Sequence, residues 1–284
     1  MLESVAWLAT PVVVAIAAIF GATWGSFFNV CIARVPAGLS VVRPGSRCGA
    51  CGAPVRAFDN VPILSYFWLR GRCRACAASF SLRYPFVEAL GALFAAVLWW
   101  QLVAADPTGV LAVRLARFVY YFAFVGTLVV LAFIDLETWL LPDVITLPAI
   151  AVFFLAGFGV HEAGWLARAV GAVVGYGFVR LISDFYHYVL KREGMGLGDG
   201  KLLALIGAAL GVQALPIVVF AGSILGALIS LPLVLLSRRR RTSDAANESL
   251  RDVQVPFGPF LALGALIYMF FGRWLLRIAT GASF

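Results

Sequence analysis

At 284 residues, 62% of them hydrophobic and only 13% charged, with a mean hydropathy of +0.96, the chain is too apolar for a water-soluble domain, in which about a quarter of residues are charged. It reads as a polytopic membrane protein whose surplus apolar surface faces lipid. The formal charge of +8 reports membrane topology rather than a nucleic-acid partner.

In chain order, apolar runs cover roughly 5–33, 84–104, 114–134, 143–160, 165–190, 214–237 and 257–280, with a shorter one at 201–213. A span needs about 20 residues. The stretch from Leu202 to Leu236 therefore holds a short helix, a turn near Gly211-Val212-Gln213 and a full helix. The expectation is an all-α polytopic membrane protein of about eight transmembrane helices, the sixth short. Seven spans with one long broken helix is the alternative. Glu3 and no Lys or Arg precede the first run, so a signal-peptide n-region is lacking and that run is read as an uncleaved span. Sixteen of the 22 Lys and Arg fall in 34–83, 185–201 and 237–256. This assigns those segments to the cytoplasm and the N-terminus to the opposite side. The predicted organisation is a first helix over 1–34, a cytoplasmic zinc-ribbon-like loop over 35–83 and a helical bundle over 84–284.

The 35–83 loop carries Cys48-Gly-Ala-Cys51 and Cys73-Arg-Ala-Cys76. Paired CxxC knuckles set four thiolates tetrahedrally around one zinc ion, and a closed shell makes the metal structural. A redox dithiol pair is the alternative. Arg47, Arg70, Arg72 and Arg74 lie beside the knuckles, placed to offset the thiolate charge. Cys31 sits within an apolar run and reads as a small packed hydrophobe.

The most pointed stretch is Gly194-Met195-Gly196-Leu197-Gly198-Asp199-Gly200-Lys201. An ionisable group at the threshold of a membrane helix is expensive, so it reads as functional. Helix capping explains one acid and one glycine. It does not explain glycine at 194, 196, 198 and 200, which would leave the backbone open to a close-approaching peptide. A second acid, Asp135, ends the third run in Phe133-Ile134-Asp135-Leu136-Glu137. Two crossings separate the acids, so both are expected at the cytoplasmic side. Two carboxyl groups brought together do not both ionise and share one proton. One can activate water while the other polarises a peptide carbonyl, which is aspartyl-protease chemistry. A transporter or scaffold using the same acids for ion coupling is the alternative, but the internal repeats of such proteins are not seen.

Other residues read more simply. Ser26 and Asn29 share a helix face, as a polar contact between helices would need. Asp143, after Pro142, fits an N-cap. Gly171 and Gly175 have the spacing of close helix packing, and Arg180 and Asp184 that of an intrahelical pair inside the bundle. His161 reads as a loop residue, His187 has no obvious partner, and Arg238–Arg241 fits an anchor near anionic lipid.

Taken together, these residues make the chain resemble the type IV prepilin peptidases, also called leader peptidase/N-methyltransferases. Three blocks carry the likeness. They are Gly25-Ser26-Phe27-Phe28-Asn29-Val30 through Arg34-Val35-Pro36, then Cys48 to Glu88, then Asp135 with Leu141-Pro142-Asp143 and Gly196-Leu197-Gly198-Asp199-Gly200-Lys201. The resemblance implies an enzyme of the bacterial inner membrane that serves type IV pilus and type II secretion systems. It would cut a short basic leader from prepilins or pseudopilins after a glycine, on the cytoplasmic side, with Asp135 and Asp199 as the catalytic pair. It would then methylate the new N-terminal residue with S-adenosylmethionine. The methylation half names no residue beyond the Cys48–Glu88 region, and the last third of the chain is expected to supply spans only.

Overall fold

The computed structural model describes residues 7–105, 110–160, 163–189, 191, 196–240 and 256–280. His161, Gly194, Arg241 and the side chains of Arg238 to Arg240 lie outside the described residues.

Among the described residues the chain is helical, with two isolated β-bridges and no strand. The helices are α1 (Pro11–Arg34), a short α2 (Leu64–Trp68), α3 (Arg83–Trp99, carried on to Ala104 as a π-helical turn), α4 (Leu111–Thr138), α5 (Asp143–Ala156), α6 (Trp165–Val189), α7 (Leu197–Leu210), α8 (Ala214–Arg240) and α9 (Gly258–Thr280). Every apolar run expected from the sequence is a helix. Among the described residues five are long and apolar enough to cross a membrane: Pro11–Arg34, Arg83–Ala104, Leu111–Thr138, Trp165–Val189 and Ala214–Pro232. The Leu202–Leu236 stretch does break at Gly211, whose φ of +90° ends α7 in a conformation that glycine adopts without strain.

Two compact units divide the chain, residues 1–130 and 131–284. In the first, α1 and α3 lie backbone against backbone. A Cβ on Gly21 would stand 2.1 Å from the Gly91 carbonyl oxygen, and one on Gly25 would stand 2.6 Å from Glu88 Cα. Small residues that let helix backbones touch replace the hydrophobic driving force that lipid does not supply. The amide of Asn29 donates across this seam to the Tyr84 carbonyl at 3.0 Å, the polar interhelical contact expected of it.

The second unit repeats the device. Gly171 and Gly175 of α6 face Gly207 and Leu203 of α7, where added Cβ atoms would meet carbonyl oxygens at 2.7 and 2.6 Å. Residues Leu202 to Leu210 of α7 are all buried, so this short helix forms the core of the unit. Arg168 of α6, itself buried, donates to the Phe154 carbonyl at 2.7 Å and lies over the Phe154 and Phe158 rings. A cation there complements the negative C-terminal end of α5.

Candidate active site and cysteine cluster

Each cysteine pair sits on a turn that closes on itself. Cys48 N–H donates to the Ala53 carbonyl at 2.9 Å and Gly52 N–H to Cys48 at 2.9 Å. The second turn copies the first, with Cys73 to Ala78 at 2.8 Å and Ala77 to Cys73 at 2.9 Å. The equivalent positions Gly52 and Ala77 both have positive φ, +70° and +57°. Glycine adopts this freely, while alanine does so at a cost of about 1 kcal/mol. The four sulfur atoms lie within 4.8 Å of one another, and Cys48 Sγ is 3.8 Å from Cys76 Sγ. A tetrahedron of zinc–sulfur bonds of about 2.3 Å has sulfur–sulfur edges of about 3.8 Å, so the quartet fits that ion. Backbone N–H groups of Cys51 and Ala50 lower the Cys48 thiol to about 6, whereas at Cys76 the Ala78 backbone N–H is outweighed by the neighbouring thiols, which push that thiol up to about 12. Arg74 does not serve the thiolates as expected. It forms a fork on Asp59 at 2.6 to 3.1 Å and lies over the Phe58 ring, tying the second knuckle to the segment between the two.

The two aspartates are both in the second unit. Asp135 is buried near the end of α4, and Asp199 is half-buried in the first turn of α7. The Lys201–Asp143 ion pair and the packing of Gly198 on Leu141 bring the first turn of α7 against the α4–α5 connection that follows Asp135. Asp135 Oδ2 accepts a hydrogen bond of 3.1 Å from the backbone N–H of Gly258, the first residue of α9. A Cβ at position 258 would stand 2.6 Å from that oxygen, so glycine is what lets the backbone reach the carboxylate. The last third of the chain thus supplies more than spans. Its signal in the sequence was Phe257-Gly258-Pro259 at the head of an apolar run, which by itself reads as an ordinary helix start.

Three further expectations meet a different outcome. Gly198 and Gly200 lie within α7, where Cβ atoms would press on Leu141 at 3.2 Å and Val179 at 3.2 Å. They serve close helix packing rather than an open peptide-binding backbone, while Gly196 precedes the helix with space around it. Asp143 is not an N-cap. Pro142 holds that position, and the Asp143 carboxylate instead accepts from Lys201 Nζ. This ion pair links the α7 turn that carries Asp199 to the start of α5. Arg180 and Asp184 do pair, at 2.9 Å, but at an exposed position.

Residues 19–102 match the Bacterial Peptidase A24 N-terminal domain, and residues 122–231 match the Type IV leader peptidase family. Curated relatives carry the same signature along nearly the whole chain. A prepilin leader peptidase/N-methyltransferase of Aeromonas hydrophila is 36% identical over 91% of this chain and 92% of its own. One of Pseudomonas putida is 37% identical over 91% of each chain. One of Myxococcus xanthus is 32% identical over 92% of this chain and 90% of its own. The chain belongs to the type IV leader peptidase family. It is an enzyme, a peptidase that is also a methyltransferase, and the transporter or scaffold alternative falls away. No solved structure matches it. Within this family frame the cysteine quartet lies in the first matched segment and both aspartates in the second.

Proposed function

We propose that this leader peptidase removes the short basic leader of type IV prepilins or pseudopilins after a glycine, with Asp135 and Asp199 as its catalytic pair. The observation that carries the reading is their placement: one buried and one half-buried carboxyl group at the ends of α4 and α7, with the α7 turn held against the α4–α5 connection. Such a pair holds one proton between its members. The ionised carboxylate takes a proton from water, and the protonated one polarises the scissile carbonyl. The Gly258 N–H holds the Asp135 carboxylate in one orientation, as a group that must meet water and peptide requires.

The Lys and Arg distribution supports a site on the cytoplasmic side of a bacterial inner membrane, in a chain that crosses it about eight times with α7 as the short crossing. Cys48, Cys51, Cys73 and Cys76 hold a zinc ion with no open position, so the metal shapes the loop and takes no part in cleavage. The enzyme then methylates the freed amine with S-adenosylmethionine. The amine lone pair attacks the methyl carbon, the carbon–sulfur bond breaks with its electron pair left on sulfur, and the nitrogen sheds a proton to solvent.

The test is incubation of the detergent-purified protein with a prepilin segment whose basic leader ends in glycine, with and without S-adenosylmethionine. Mass spectrometry should find a product cut after the glycine, and 14 Da heavier (about one CH₂) when the donor is present. A segment left at full length would refute the proteolytic reading.

A further inference from the structure

The short helix α2, between the two cysteine knuckles, turns an apolar face outward. Leu64, Phe67 and Trp68 are three and four residues apart and so project from one side of it. They are 67, 68 and 83% exposed. The other side is built in. The Tyr66 hydroxyl donates to the Phe80 carbonyl at 3.3 Å, and Gly71 N–H donates to the Tyr66 carbonyl at 2.8 Å. A Cβ on Gly71 would stand 2.8 Å from the Tyr66 hydroxyl oxygen, so α2 is seated on the chain entering the second knuckle. Phe58, also exposed in this segment, has the guanidinium groups of Arg56 and Arg74 over its ring. Among the described residues no cation covers Phe67 or Trp68 in that way.

The level of α2 along α3 decides what surrounds that face. Ile63, which precedes α2, gives its N–H to Glu88 Oε2 at 2.6 Å. It does so at a φ of +64°, which is rare for a β-branched residue. Glu88 follows Arg83, the first residue of α3, by five positions, about 7.5 Å along the axis at 1.5 Å per residue. The start of α2 is therefore level with the first turns of a helix long and apolar enough to cross the membrane. The headgroup layer on each side of the hydrocarbon is about 5–8 Å thick, so α2 falls within it. The flanking charge fits the same surroundings. Residues 35–83 contain seven arginines and one acid, Asp59, which Arg74 occupies. Arg70 and Arg72, exposed and directly after α2, form no ion pair among the described residues.

We propose that α2 is an interfacial anchor that holds the cysteine knuckles on the bilayer. Leu64, Phe67 and Trp68 enter the boundary between headgroups and acyl chains, while Arg70 and Arg72 meet lipid phosphates. Tryptophan at that depth keeps its ring in the apolar boundary and its N–H on lipid oxygens. An apolar face flanked by basic residues is the pattern of helices that lie in the membrane plane. Five residues are too few to form a helix alone in water, but Ile63, Tyr66 and Gly71 fix this one before it meets lipid. Its size argues against a protein occupant. Two aromatic side chains of about 150–250 Å² each and one leucine, already partly covered, fall short of the roughly 800 Å² per partner of a stable interface. The proposal rests on α3 spanning the membrane and not on the reaction.

Photolabelling of the full-length protein in lipid nanodiscs tests it. The discs hold phosphatidylethanolamine and phosphatidylglycerol, with a trace of phosphatidylcholine carrying a diazirine near the glycerol end of one acyl chain. After illumination, lipid-modified peptides are mapped by mass spectrometry. Residues 64–68 should carry at least about tenfold more label than the 48–51 knuckle, since only an interfacial helix reaches acyl depth. Label on α3 without label on 64–68 would overturn the anchor, and its absence from α3 as well would refute the span beneath it. With p-benzoylphenylalanine in place of Trp68, illumination should give lipid adducts. A cross-linked pair of chains would assign the face to a second copy instead and overturn the proposal. The triple variant Leu64→Ser, Phe67→Ser, Trp68→Ser keeps Tyr66 and the Ile63 N–H, so zinc content should hold. Trypsin should cut it after Arg70 or Arg72 roughly tenfold faster than wild type in the same discs, because headgroups no longer shield those bonds. Equal rates at equal zinc content would overturn the anchor, and wild-type labelling decides the matter whether or not this variant folds.

Discussion

The cysteine quartet takes its ligands from two turns of like design, and the sulfurs that meet come from residues only 28 apart in sequence. The aspartate site joins α4 to α7 and borrows a backbone N–H from α9, 123 residues beyond Asp135. One centre is closed by short hydrogen bonds around each knuckle and has room for a metal to finish it. The other exists only once helices have packed to within touching distance at their glycines. A locally closed centre tolerates sequence change outside its turns. A centre assembled from distant helix ends transmits any shift of a helix straight to its carboxyl groups.

The largest effect that separates them should come from the carboxylates. Asp135→Asn and Asp199→Asn keep side-chain volume but cannot move a proton, so leader cleavage by each should drop at least about a hundredfold. The double variant should be no slower than either single, because residues acting as one unit are not additive. Cleavage rates measured on equal amounts of inserted protein decide this, and additive losses would mean the two acids act separately. Zinc content should be unchanged in all three.

Cys48→Ser should do the reverse. Metal analysis on reduced wild-type protein should give about one zinc per chain, and the variant should give none. Trypsin should then cut within 35–83, while circular dichroism still shows the helices. Zinc retained at the wild-type level in Cys48→Ser would break the assignment of the quartet.

Gly258→Ala sharpens the contrast, because it touches the aspartate site from the far end of the chain. The added Cβ would meet the tip of the Asp135 side chain at 2.6 Å. Swinging a side-chain tip aside costs the fold little, so the melting temperature should move only slightly. The carboxylate, however, is displaced by the order of an ångström, and cleavage should fall tenfold or more. Wild-type kinetics in Gly258→Ala would remove α9 from the site.

The smallest effect belongs to Asp143. Its pair with Lys201 is half exposed on the aspartate side, 56%, and such pairs contribute about 0–1 kcal/mol. Asp143→Asn still offers Lys201 an acceptor, so cleavage should stay within about fivefold of wild type. A loss as large as that of Asp135→Asn would mean that Asp143, not Asp135, is the partner of Asp199.

Much of this molecule was legible in its residues alone. Apolar runs marked every long helix, the four cysteines marked their cluster, and the two acids at run ends do lie at helix ends. These are properties of composition and short spacing, and the physics behind them acts over a few residues: lipid solvation of a run, the reach of a CxxC turn, the cost of an acid near lipid. The rest depended on how the helices rotate and slide against each other. That Gly258 lies on Asp135, that Gly198 and Gly200 face Leu141 and Val179, that Lys201 claims Asp143, and that Asn29 and Glu88 share a cavity are all outcomes of that packing. No local pattern encodes them, because a helix start, a glycine or a buried amide looks the same in sequence whichever neighbour it will meet. Close approach at Gly21, Gly91, Gly171 and Gly207 fixes those rotations, and only the folded chain brings the partners together.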